Sequence, residues 1–166
     1  MTQAAALAQY GSTGVSQGFK NRIINGAMVI NQRGGTISAS NSGWQYGVDR
    51  WACYQNIASS KFTIQQSSTA PTGFTNFLRV TTTTADASIG ATQTYGLRVV
   101  VEGYNVSDLG WGAAGASSVT LSFWVRSSLT GTFGGSLTNA TVNRCYPFSF
   151  TISSANTWEQ IGRAHV

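Results

Sequence analysis

Apolar and polar residues alternate in short runs along this chain, with the two-residue period of strands rather than the longer period of helices. The runs predict eight strands: Ala27–Gln32, Val48–Asn56, Lys61–Gln66, Asn76–Thr83, Thr94–Glu102, Ser118–Ser127, Gly131–Leu137 and Tyr146–Ser153. Gly34-Gly35, Pro71-Thr72-Gly73, Gly110 to Gly115 and Gly134-Gly135 punctuate them. In Ser118–Ser127, Val119, Leu121, Phe123 and Val125 share one face, while Thr120, Ser122, Trp124 and Arg126 share the other. By the same rule Phe62 and Ile64 point inward, Leu78 and Val80 oppose Phe77, Arg79 and Thr81, and Tyr95, Leu97, Val99 and Val101 share the face opposite Arg98. Tyr146, Phe148, Phe150 and Ile152 alternate with smaller or polar neighbours. Val48–Asn56 is ambiguous, because either face carries a charge, Asp49 or Arg50. One helical turn is expected, Asn105 to Leu109, capped by Asn105. The pattern predicts an all-β chain, an antiparallel two-sheet sandwich with Phe123, Val125, Phe148 and Phe150 in its core.

The two ends read differently. Residues 1–18 suggest a linker or attachment arm, with an Ala-rich piece too short to hold a helix followed by GSTGVSQG. The sandwich is expected over 19–160. The codon string ATC GGA AGA GCA CAC GTC encodes the last six residues, IGRAHV, and is the opening of a common sequencing-library adapter. Residues 161–166 are therefore expected as an adapter-encoded tail that leaves an incomplete sandwich. On that expectation His165, the only histidine, carries no functional weight.

Composition narrows the function classes. Only 9% of residues are charged, while 40 are Ser or Thr and 19 are Gly, which suits short strands joined by small-residue turns. A 42% hydrophobic content argues against disorder. The net charge of +5 comes from a shortage of acids, with the ten basic residues scattered. Nucleic acid is thus not an expected partner, since its binders carry a basic stripe. No apolar run is long enough to span a bilayer and the start lacks a signal-peptide pattern, so no membrane insertion is expected. Cys53 and Cys145 match no metal spacing and are expected as two buried free thiols.

Catalysis has little to work with. Without His165 there is no histidine for a triad or metal site, and no catalytic residue, metal site or cofactor is expected. A glycosidase needs two facing carboxylates, and Asp49 with Glu102 is the pair that folding has to bring together. Asp49 is otherwise expected to partner Arg50. Aromatic residues are the better lead, because sugar rings stack on flat indoles and phenols. Trp44 and Tyr46 fall in a Ser/Asn/Gly-rich loop, and Trp124 opposes the apolar face of its strand beside Arg126. Trp51 and Trp158 are expected in the core, and Trp111 as a plug at the sandwich end. Arg79, Arg98 and Arg126 alternate away from the apolar faces; on adjacent strands they line one surface suited to acidic sugars or phosphate groups.

Several motifs carry a family resemblance. They are Tyr10-Gly11, the run Lys20 to Gly26, Asp49-Arg50-Trp51, Glu102-Gly103-Tyr104, the run Leu121 to Arg126 and the run Ser154 to Trp158. Together they resemble the jelly-roll domains of bacteriophage tail-fibre and related virion proteins, over most of Tyr10 to Gln160. Asn-Gly before the first strand, a strand of the SFWVR kind and a late tryptophan strand are similar, more distantly, to carbohydrate-binding modules. The resemblance implies a jelly roll in the virion tail, assembled in a host cytoplasm. Its implied partners are other virion tail proteins and a host-surface polysaccharide, with a homotrimer as the oligomer to test. The implied role is recognition of a host-surface glycan. A structural spacer without a sugar site is the second reading, and a glycoside hydrolase fragment a distant third.

Overall fold

A computed structural model describes residues 20–165, with side chains through residue 162. The expected arm over 1–18 lies outside the described residues. The described residues form ten strands: β1 Ile37–Ser38, β2 Gln45–Tyr46, β3 Trp51–Gln55, β4 Phe62–Ser67, β5 Phe77–Thr82, β6 Tyr95–Val99, β7 Val119–Val125, β8 Gly131–Thr138, β9 Cys145–Ile152 and β10 Glu159–His165. The pairs β1–β4, β2–β3, β3–β6, β7–β10 and β8–β9 are all antiparallel. An all-β antiparallel chain is thus what the alternation produces.

The chain forms two compact units. Among the described residues the first takes 20–67 and 78–106 and holds two three-stranded sheets, ordered β1-β4-β5 and β2-β3-β6. Ala39, Cys53, Phe62 and Ile64 form its buried core, with Ile37, Leu78 and Tyr95 packed against them. These side chains come from both sheets, so each buries one face against the other. Gln55 is fully buried among them. Its Nε2 donates to the carbonyls of Ile57 and Ser59, and its Oε1 accepts from the Lys61 amide. One side chain thus satisfies the backbone of the turn between β3 and β4.

The second unit takes residues 68–77 and 107–166 and holds two two-stranded sheets, β10-β7 and β8-β9. Phe150 meets Phe123 edge-on at 5.1 Å and stacks on Phe133 at 5.9 Å, and Phe77 meets Trp158 edge-on at 5.2 Å. Phe123, Val125, Phe148 and Phe150 are half-buried here rather than forming a closed core. The fully buried side chain of this unit is Ile152.

Several expectations are corrected. Ala27–Gln32 is not a strand. Asn25 and Met28 both take φ of 55°, outside the β region. The Asn25 amide donates to the carbonyls of Ile30 and Asp49 and its Oδ1 accepts from the Ile30 amide, which replaces a ladder with a side-chain clamp. Likewise β3 begins at Trp51 and not Val48, because Arg50 has a φ of 77° and the Trp51 amide closes a turn onto Val48. The expected helical turn resolves into two 3-10 turns, Gly103–Asn105 and Ser107–Leu109. Asn105 ends the first of them rather than capping a helix. Cys53 is buried but Cys145 is exposed. Trp111 is exposed, its indole N–H donating to the Ser117 carbonyl, so it plugs nothing. Trp51 and Trp158 are half-buried.

The tail expected over 161–166 is paired rather than free as far as His165. Ile161 to His165 continue β10 in register with β7, from Ile161 opposite Phe123 to His165 opposite Val119. Ladder bonds use backbone groups that every non-proline residue carries, so side chains that offer a core little still extend a strand. Val166 lies outside the described residues.

Candidate functional site

The β2-β3-β6 sheet turns one face to the core and presents the other as an aromatic strip. Register sets Tyr46 opposite Ala52 and Ala52 opposite Arg98, while Tyr54 lies opposite Gly96. Trp44, just before β2, fits into this face because Ala52 and Gly96 are small. A Cβ on Gly96 would lie 3.1 Å from the Trp44 ring. Tyr54 flanks that indole at 5.3 Å, and the Arg98 guanidinium lies over its ring at 3.8 Å. This is a close cation–π stack. Tyr46 is 42% exposed with the Arg33 guanidinium 5.7 Å from its ring centre.

Of the expected sugar-contact residues, the first unit brings Trp44, Tyr46 and Arg98 onto one sheet face. Arg79 lies on β5, in the other sheet of the same unit, and is exposed. Trp124 and Arg126 are exposed at the end of β7 in the second unit. The three arginines therefore belong to three sheets or their ends, not to adjacent strands of one sheet. Alternation placed each on an outer face but carries no information about which strands pair.

The carboxylates expected as a facing pair are otherwise engaged. Asp49 accepts from the Gln32 amide at 2.6 Å and pairs with Arg33 at 3.4 Å, instead of Arg50. Arg50 pairs with Glu102, and its hydrogen bond holds the Glu102 carboxyl below the usual range. A general acid needs the opposite shift.

A second feature was invisible to motif reading. On the first unit, β5 and β6 end their respective sheets, and an open cleft of about 390 Å³ lies along them. Lys61, Phe62, Val80, Thr82, Asp86 and Leu97 are among its lining residues. The Tyr95 hydroxyl donates to Asp86 Oδ2 at 2.5 Å, and Lys61 Nζ lies 4.0 Å from the same oxygen. The hydroxyl first and the ammonium second depress the Asp86 pKa, while the carboxylate raises that of Tyr95. Asp86 looked like one of five scattered acids, and the separations between Lys61, Asp86 and Tyr95 match no local motif. Among the described residues no cluster of His, Cys, Asp and Glu suits a metal ion. No family model, curated protein or solved structure matches this chain.

Proposed function

We propose that this chain is a bacteriophage tail-fibre or related virion surface domain, an antiparallel jelly-roll sandwich that contributes to recognition of a host-surface glycan. The observation that carries this reading is the aromatic strip. Tyr46 is exposed beneath Arg33, on the same sheet face as the Trp44–Arg98 stack. A flat ring offers a surface to the C–H face of a sugar, and guanidinium groups beside it donate to hydroxyls or carboxylates. The motifs from Lys20 to Gly26 and Leu121 to Arg126 supply the virion role. Other tail proteins are the assembly partners this role requires, and a homotrimer is the state to look for by sedimentation.

A structural spacer is the second reading, and one observation favours it. Arg98 already covers one face of Trp44, as a residue serving stability would. An array of host-surface polysaccharides separates the two. Binding that Tyr46→Ala or Arg33→Ala abolishes supports adhesion, whereas silence across the array leaves the spacer. The engaged state of Asp49 and Glu102 argues for a non-enzymatic role; glycan hydrolysis lost on Glu102→Gln would reverse that.

A further inference from the structure

The cleft along β5 and β6 has a chemistry distinct from the strip, and it points to a narrower ligand. We propose that it takes a terminal 6-deoxyhexose, a neutral sugar carrying a methyl group in place of the usual hydroxymethyl. This inference rests on the glycan reading above.

The floor is aliphatic. Val80, Ile89 and Leu97 line the cleft and are 49%, 64% and 42% exposed, which leaves apolar surface open to water. Aromatic stacking has little purchase here, since Phe62 is buried and Tyr95 half-buried. A methyl group suits such a floor. A hydroxymethyl placed there would set its hydroxyl against aliphatic side chains that offer it no hydrogen bond.

The other wall reads hydroxyls. An ionised carboxylate has roughly four acceptor sites, so Asp86 keeps capacity after accepting from Tyr95. Lys61 places a donor beside that acceptor. Two neighbouring ring hydroxyls match the pair: one donates to Asp86 and the next accepts from Lys61. Thr82 and Thr84 add hydroxyls to the lining. Asp86 and Lys61 carry opposite charges side by side, so the pair offers no excess charge to an acidic sugar and suits a neutral ligand.

The test is a methyl-resolved NMR titration of the protein with L-fucose and L-rhamnose. Each is compared with its hydroxymethyl counterpart, L-galactose or L-mannose. The expected result is shifts at the Val80, Ile89 and Leu97 methyls, with the deoxy sugar preferred roughly tenfold to a hundredfold. Asp86→Asn keeps an acceptor for Tyr95 but removes the charge, and is expected to weaken deoxy-sugar binding about tenfold. Ile89→Ser changes a side chain already 64% exposed, and is expected to erase the preference while the protein stays folded. Equal shifts from the hydroxymethyl sugars overturn the proposal, as does silence of the three methyls at saturating sugar. Array binding that depends on Tyr46, together with silent methyls, overturns the cleft and leaves adhesion standing. Methyl shifts together with an array unaffected by Tyr46→Ala sustain the cleft and overturn the strip.

Discussion

Gln55 shows how a single polar side chain holds a local backbone in place. It is buried and makes three hydrogen bonds across the turn from Ile57 to Lys61. Gln55→Ala deprives two carbonyls and an amide of their partners, and is expected to cost about 2–4 kcal/mol in urea denaturation, given the typical penalty per orphaned group. Lys61 is both the end of that turn and a wall of the cleft, so the same variant should disturb the Lys61–Asp86 pair. Charge acts at this scale too. Asp86 and Glu102 have depressed pKa values in the folded chain, from Tyr95 and Arg50 respectively. Their stabilisation is complete above the carboxylate pKa of the unfolded chain and disappears as pH falls through the folded values. The melting temperature of Glu102→Gln is therefore expected to lie below that of the parent at neutral pH and to converge with it in acid. A gap that persists in acid would assign the effect to packing instead.

Among the elements, β8 and β9 show how close contact fixes a hairpin. Gly135 lies opposite Phe148, and a Cβ on Gly135 would come within 2.5 Å of the Phe148 ring. Gly135→Ala forces that half-buried ring aside and is expected to cost about 1–3 kcal/mol, typical of overpacking. Thermal melting monitored at the aromatic bands checks it. Elements of this kind were readable in advance where alternation ran for five residues or more. The faces of β7 and the inward Phe62 and Ile64 of β4 followed directly from side-chain period. The strands β1 and β2 were not readable, because two residues establish no period. Ala27–Gln32 was misread because its β-branched and apolar residues resemble a strand, while a side chain two places upstream overrules them. The strip was half legible: Trp44 and Tyr46 stood out as aromatics in a polar loop, but the small residues that seat them, Ala52 and Gly96, gave no signal. Nothing in the chain order marked the cleft, whose polar residues converge only after two sheets are built.

At the scale of the molecule, neither unit is one stretch of sequence. The segment 68–77 belongs to the second unit although it lies between two pieces of the first, and β5 starts in one and continues in the other. Trp158 packs against Phe77, which a C-terminal fragment lacks. Residues 107–166 expressed alone are therefore expected to show weak near-ultraviolet circular dichroism and no cooperative melt. A fragment that melts cooperatively would show that this aromatic contact is dispensable.

The contrast between the two cysteines makes the protein a gauge of its own integrity. Cys53 is fully enclosed and burial raises its thiol pKa, while Cys145 opens onto solvent. A maleimide dye should count one thiol per chain in buffer and two in denaturant, so stoichiometry alone reports the folded fraction. The same asymmetry offers a single attachment point for a fluorophore or a surface tether on β9, in the second unit, whereas strip and cleft belong to the first.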